Sequence, residues 1–504
     1  MKNFVKNSIR LTAISLLLVG CSDDFLVEEP TGAVITADQL GDAITLNPEL
    51  GEATMTGIYA TMFDTGSGGT TGHDDFGHKG YDVFADMLCG DMALSLSTFG
   101  WYRSSITEFQ GTQDFTFLDN YQVWRYYYRI VNLSNLVIES LGGNDAVPES
   151  VEEGYVYGQA LAMRAHSYFY LTQYMINDVE ASWTQPTLPL YTEPSTAGKE
   201  KSTTEEVYIQ MENDLRRAID LLDGYQRPAG SKLQVDQPIA QTILAYVLGS
   251  RRDRWNDVVA LTNDALAGTN ASLMDNSTTA NGVLGGFNDV SSQGWMWGVD
   301  INAEIGLGLI SWWGQIDTYS YSYAAYGDYK AIDAGLYNSM PADDIRRSQF
   351  RSNQASPRYL QPLNKFYDSD RVITGTSQIV KADYWYMRYA EVLLLNAEAK
   401  ARAGQTGPAR TALKTLVAAR VTDPSFVDGL NGQALIDEIY KQTRLELWGE
   451  GKSYLAMKRN KATTMRGSNH LSFVGVPIRF DDERMTFEIP QQEIQDNNFI
   501  DSQN

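Results

Sequence analysis

Cysteine and histidine are scarce in this 504-residue chain, with two of the first and four of the second. Cys21 ends an apolar leader, so Cys89 alone remains in the body and no internal disulfide can form. With no basic or histidine neighbour in sequence, Cys89 reads as a small buried apolar residue rather than a nucleophile. No G-x-S-x-G elbow, P-loop, H-E-x-x-H pair or dinucleotide fingerprint occurs. Basic residues are short as well: 40 Lys and Arg face 63 Asp and Glu, a formal net charge of -23. Nucleic acid is therefore a poor partner, because binding it requires cations that displace phosphate counterions. After the N-terminus no apolar run is long enough to cross a bilayer as a helix.

The ends and the middle hold more. Residues 1–20 join a basic start, "MKNFVKNSIR", to the apolar "LTAISLLLVG", the pattern of a removable secretory signal. Leu18, Val19 and Gly20 then lead into Cys21 as in a bacterial lipoprotein box, whose cysteine sulfur receives a diacylglycerol anchor. The acidic "SDDFLVEEP" that follows is expected to be an extended tether and resembles a surface-export signal, which points to an outward-facing protein. In the body, 43% hydrophobic and 20% charged residues are ordinary for a folded globular chain.

Helical hairpins dominate the rest. In "YMRYAEVLLLNAEAKARAG", Met387, Ala390, Leu394, Ala397 and Ala401 recur at spacings of three and four, and Gly404 ends the helix. Pro408 then opens "PARTALKTLVAAR" at its first helical position. A second hairpin begins at Pro238, with Gly249 ending its first helix, Asp253 capping the next and Gly268 closing it. That span approaches the roughly 34-residue tetratricopeptide unit. A split pair, "GYVYGQALAMRAHSYFYLTQYM" and "TTEEVYIQMENDLRRAIDLLD", has Ser202 and Glu205 as the capping box of its second member.

Residues 269–383 lack helical period and are rich in Gly, Ser, Asn and aromatics. Insertions of this kind on a rigid scaffold are where binding groups tend to sit. Trp295 and Trp297 alternate in a strand-like run and are expected in the core. Trp312 and Trp313 are adjacent and, from an extended segment, cannot both point inward. Tyr319, Tyr321 and Tyr323 alternate with serines as a one-sided ladder, and "STFGWYRSS" offers Trp101 and Tyr102. Aromatic faces rimmed by hydroxyls and amides suit the C–H faces and hydroxyls of sugar rings, so Trp101, Tyr102, Trp312, Trp313, Tyr319 and Tyr321 are the candidate ligand contacts. The cluster "GHDDFGHKG", with His73, Asp74, Asp75 and His78, matches no defined zinc spacing and reads as a solvated loop; no metal is expected. The acid pairs Asp343–Asp344 and Asp481–Asp482 read as solvated surface rather than glycosidase carboxylates.

Several separated motifs converge on one family. "CSDDFLVEEPTG", "MTGIYATM", "ALAMRAHSYFYLTQYM", "AQTILAYVLGSRRDRWNDVVALTNDAL", "YMRYAEVLLLNAEAKARAG", "RLELWGEGKSYLAMKR" and "FEIPQQEIQDN" run from end to end. In that order they resemble the SusD/RagB outer-membrane nutrient-binding lipoproteins. One departure falls after the E-L segment: where many relatives read E-G-x-R-x-x-D, this chain keeps Glu450 and Gly451 but has Ser453 and Ala456.

The resemblance implies a mostly α fold, a tetratricopeptide-like helical-hairpin scaffold with large irregular insertions and a few short strands. It divides the chain into a signal at 1–20, an N-terminal region at 21–235 and a C-terminal region at 236–504, the two regions forming one compact unit. It also implies no enzymatic activity and no cofactor. The implied partner is a SusC-like TonB-dependent transporter, and the implied ligand an oligosaccharide or polysaccharide, or alternatively a peptide.

Overall fold

Most helices of this protein are recognisable from where they stop and start, and one of them is buried on all sides along most of its length. The computed structural model describes residues 49–368 and 379–504. The leader 1–20, Cys21 and the acidic stretch after it lie outside the described residues. Helix α1 (Glu49–Ala60) and α2 (His78–Leu88) precede β1 (Met92–Leu96), and a single π-turn at Arg103–Thr107 leads to α3 (Leu118–Ser140). In α4 (Val151–Met175) every residue from Val156 to Met175 is buried, so no amphipathic stripe survives in its sequence.

A short antiparallel ribbon, β2 (Pro186–Pro189) with β3 (Lys201–Thr203), delivers the chain into α5 (Thr204–Leu221). The capping box is Thr203 with Glu206, one residue beyond the expected Ser202 and Glu205: β3 extends through Thr203, which pairs with Pro186, and the helix starts only after it. Helix α6 (Gln237–Arg251) is capped by Asp236, runs two residues past Gly249 and ends at Arg252 in the left-handed conformation. Helix α7 (Trp255–Gly268) ends at the expected glycine, but Asp253 does not cap it; that carboxylate pairs with Arg251 at 3.0 Å instead.

The segment 269–383 is irregular where described. It holds β4 (Trp295–Val299), one-turn helices α8 (Trp312–Ile316), α9 (Tyr323–Tyr326) and α10 (Ala334–Asn338), and β5 (Tyr329–Ile332), which pairs antiparallel with β1. Strand β6 (Tyr384–Arg388) pairs with β4 and takes Met387 out of the helix in which the spacing places it. Helix α11 (Tyr389–Arg402) therefore begins two residues later. In α12 (Thr406–Ala418) Pro408 is the third residue rather than the first, still inside the first turn where its missing N–H costs nothing. The chain closes with α13 (Gly432–Glu446), α14 (Lys452–Arg459), the ribbon β7 (Thr463–Met465) and β8 (Pro477–Arg479), and α15 (Gln491–Asp496).

Consecutive helices pack in series: α3 on α4, α4 on α5, α5 on α6, α6 on α7, α7 on α11, then α11 on α12 and α13. The irregular segment is tied to this stack by a buried ion network. Arg388 forks onto Glu450 (2.7 and 2.8 Å), Lys365 reaches the same carboxylate at 3.0 Å, and Arg420 forks onto Glu446 (2.9 and 3.0 Å). Burial pushes Glu446 up, but Arg420, Arg388 and Arg346 hold it well below the usual carboxylate range. Glu450, the glutamate retained beside the departure at Ser453 and Ala456, thus has its cations from Arg388 and Lys365.

Candidate functional site

The pairing of β1 with β5 brings two aromatic loops together, 97–103 after β1 and 317–328 before β5. Asp328 fixes their relation: its carboxylate accepts the backbone N–H groups of Thr98 (2.7 Å), Phe99 (2.8 Å) and Trp101 (3.2 Å). Gly327 beside it has φ +137°, and a Cβ there would lie 2.3 Å from the Thr98 hydroxyl, so the close approach requires glycine.

On this frame the rings gather. The His73 imidazole lies nearly parallel to the Trp101 indole, with centroids 5.2 Å apart and planes 6° from each other. His73 Nδ1 is 2.6 Å from the Tyr323 hydroxyl, and Tyr323 turns its ring to both Trp101 (5.8 Å) and Phe99 (5.3 Å). Tyr321 and Tyr326, at either side of Tyr323 in sequence, have centroids 5.6 Å apart. Phe99 is 54% exposed, Tyr326 47% and Tyr321 40%, while Trp101 is half-buried. Exposed aromatic area concentrated on two pinned loops can stack a flat apolar face. Arg103, two residues after Trp101, is exposed and pairs with Glu108 at 3.1 Å; Arg358 donates to the Ala325 carbonyl at 2.6 Å.

Two of the six sequence candidates, Trp101 and Tyr321, fall in this cluster. The other four need correcting, because their faces are already covered by protein. Trp312 and Trp313 are fully buried. Ser311 caps α8 by accepting the Gly314 N–H at 3.0 Å, and in a helical turn neighbouring side chains diverge by about 100° rather than 180°. Both indoles therefore reach the core, where Trp312 meets Trp313 (5.0 Å), Phe366 (4.6 Å) and Trp385 (5.0 Å) edge-on. Lys79 sets its ammonium 4.0 Å above the Trp385 ring. Tyr102 has φ 64° and is buried against Phe84, its ring 5.1 Å from the Lys330 ammonium. Tyr319 is buried with its hydroxyl on the Leu363 carbonyl at 3.2 Å. The expected tyrosine ladder is absent, because the chain bends after Asp317 and Tyr323 starts α9. Trp295 and Trp297 lie in the core as expected, although β4 is bulged between them and buried at all five of its residues, so the one-sided alternation is not what puts them there.

Sequence reasoning missed Phe99, Tyr323, Tyr326 and His73 as members of the cluster. Phe99 and Tyr326 were visible as aromatics flanking glycines; His73 was masked by the acids beside it.

Those acids do separate work. Asp75 accepts from Gly68 N (2.8 Å), Thr70 N (3.0 Å) and the Thr70 hydroxyl (2.9 Å). Burial, reinforced by Asp119, pushes the Asp74 carboxyl up to about 7. His78 is packed among His166, Tyr127 and Tyr170, and burial holds it well below the ordinary histidine range. Among the described residues no three His, Cys, Asp or Glu side chains converge as a metal site. Of the acid pairs, Asp344 caps a 3-10 turn and pairs with Arg346 at 2.7 Å, and Asp482 does the same with Arg484 at 2.6 Å. His470 pairs with Asp333 at 3.2 Å, a contact not apparent in the sequence.

A stack of helices carrying an irregular segment with surface aromatics on fixed loops defines a ligand-binding scaffold. The chain belongs to the SusD/RagB family. The SusD family model matches residues 344–504, and a model described as starch-binding, associating with outer membrane, matches residues 82–229. Among solved structures, a SusD-like carbohydrate binding protein from Bacteroides vulgatus is 22% identical with a TM-score of 0.74, over 90% of this chain and 96% of its own. A SusD superfamily protein from Bacteroides fragilis is 22% identical with a TM-score of 0.72, over 91% of this chain and 100% of its own. Surface glycan-binding protein A from Bacteroides thetaiotaomicron, solved in complex with laminarihexaose, is 16% identical with a TM-score of 0.65, over 90% of this chain and 98% of its own. No curated protein sequence matches the chain.

Proposed function

We propose that this chain is a non-catalytic, glycan-binding lipoprotein of the outer membrane, anchored through Cys21 and facing the cell exterior. It captures oligosaccharides and delivers them to a SusC-like TonB-dependent transporter. The observation that carries the reading is the open aromatic cluster of Phe99, Trp101, Tyr321 and Tyr326 on loops pinned by Asp328. The SusD/RagB membership and the laminarihexaose complex of one structural relative support a saccharide as the ligand.

The energetics favour long ligands. A stacked ring gives about 1 kcal/mol, so two or three fall short of the roughly 4 kcal/mol behind millimolar affinity. Hydrogen bonds from the rim and repeated contacts along a chain supply the remainder.

The test is a titration of the purified full chain against neutral polysaccharides (laminarin, starch, xylan, galactomannan) and a matched panel of peptides. Binding to at least one polysaccharide, weakened about fivefold by Phe99→Ala, is expected. Binding to peptides alone would transfer the reading to peptide capture, and binding to neither would leave a structural lid on the transporter. Co-purification of a TonB-dependent transporter with the tagged chain from its native membrane tests the partner.

A further inference from the structure

A second groove runs along one face of α3, away from the residues of the Trp101 cluster. Its cavity measures about 710 Å³, and its walls come from α3, the 191–198 loop and α15. Ligand pockets generally span about 300–1,000 Å³, so the volume suits a small molecule or a segment of a polymer.

The lining repeats along the helix at spacings of three and four, which sets Tyr121, Trp124, Arg125 and Tyr128 side by side. Trp124 and Tyr128 have centroids 4.7 Å apart, and Tyr128 meets Tyr191 edge-on at 5.8 Å. Trp124 is held by its indole N–H, which donates to Glu493 on α15 at 3.2 Å, and the Tyr128 hydroxyl is used by the Pro189 carbonyl at 2.8 Å. Two groups are left over. Among the described residues, neither the Tyr121 hydroxyl nor the Arg125 guanidinium takes part in a hydrogen bond or ion pair within the protein. Arg125 is nonetheless positioned: it lies across Gly69, where a Cβ would come within 2.4 Å of its Nη1.

Charge selects the ligand class. The cavity is lined by the guanidiniums of Arg125 and Arg129 from α3 and by the carboxylates of Glu493 and Asp496 from α15, so a ligand of either charge would meet like charge in it. A neutral polyhydroxylated ring accepts from one wall and donates to the other while its C–H face covers an aromatic.

We propose that this groove is a second saccharide subsite, taking a neutral sugar unit of the same chain whose other part occupies the Trp101 cluster; it rests on the glycan-binding reading above. The 64–77 loop connects the two places. Gly69 lies under Arg125 and His73 stacks on Trp101, and four residues span at most about 14 Å. Two weak subsites linked by one ligand give an affinity that neither reaches alone, through effective concentration.

The experiment compares laminarin and the other neutral polysaccharides with their trisaccharides on the full chain, using Tyr121→Ala, Arg125→Ala and Trp101→Ala. Tyr121 and Arg125 are half-buried, and unchanged melting temperatures would show that their variants fold. Each is expected to lose three- to tenfold in polymer affinity, with trisaccharide binding at the Trp101 cluster unaltered. Trp101→Ala should retain a weak polymer affinity that the Trp101→Ala, Arg125→Ala double variant loses. If the groove variants bind polymer as wild type while Trp101→Ala loses all binding, the second subsite is overturned and the first stands. If the wild-type chain binds no saccharide, both readings fall together.

Discussion

Whether an aromatic in this protein serves a ligand or the core is decided one residue at a time by backbone conformation. Trp295 and Trp297 are in the core as expected, but not because an alternating strand sends both to one side: a bulge separates them in β4 and all five residues of that strand are buried. The burial of Trp312 and Trp313 was not legible, because the inference assumed extended chain and Ser311 starts a helical turn. Tyr102 sits next to Trp101 yet is buried, with φ 64° between the two fates. The contrast makes a prediction: Trp312→Ala and Trp313→Ala should each destabilise the fold by about 3–5 kcal/mol, the usual cost of emptying a large core site. Phe99→Ala should leave the melting temperature nearly unchanged. Thermal denaturation of the three variants checks this, and a stable Trp312→Ala protein would contradict the burial.

A second residue-scale prediction concerns acid. Asp383 accepts the N–H groups of Ile301 and Val290, and burial pushes its carboxyl up to about 7 despite those donors. The unfolded carboxyl titrates near about 4, so between roughly pH 4 and 7 the folded chain holds the extra proton. The stability contributed is full below about pH 4 and is lost as pH rises through 7. Urea denaturation of Asp383→Asn across that range should show a smaller fall in stability with pH than wild type. An identical slope would show that Asp383 does not hold the extra proton.

At the scale of elements, boundaries were legible to within a residue or two wherever a local signal was uncontested. Gly268 ends α7 as expected. Asp253 fails as a cap because Arg251 takes its carboxylate, and two further shifts occur where a strand adjoins a helix. β3 runs through Thr203 and β6 through Arg388, so α5 starts at Thr204 with Thr203 as its cap and α11 starts at Tyr389. Long-range pairing leaves no mark on a local period. The β1–β5 pair has the same character, since residues some 230 positions apart meet at Asp328. Asp328→Ala should release three N–H groups and lower glycan affinity several-fold although the carboxylate faces backbone; Asp328→Asn, which keeps one acceptor, should recover part of the loss. Titration of both variants checks it, and equal affinities in wild type and Asp328→Ala would show that the loop holds its shape without the carboxylate.

For the whole molecule, the family resemblance conveyed the fold, because its motifs lie on the stacked helices and their junctions. It conveyed less about the site, whose aromatics lie on loops with no fixed spacing. The ion network around Glu446 and Glu450 joins scaffold to insertion and was invisible in sequence, since its partners are up to a hundred positions apart. Removing one member of a buried, hydrogen-bonded pair costs about 3–5 kcal/mol. Glu446→Ala, which strands Arg420, is expected to fall in that range by denaturant titration.

On the proposed function, the open cluster around Trp101 binds glycan while the Trp312 cluster holds the fold. Calorimetric titration of wild type and Trp101→Ala with the best-binding polysaccharide, each protein also melted alone, tests it most directly. Trp101→Ala is expected to lose about five- to tenfold in affinity, about 1–1.4 kcal/mol, while still melting in one cooperative transition, lowered only by the contacts its half-buried indole makes with His73 and Tyr323. Wild-type affinity in Trp101→Ala, or no binding of any polysaccharide by the wild-type chain, would contradict it.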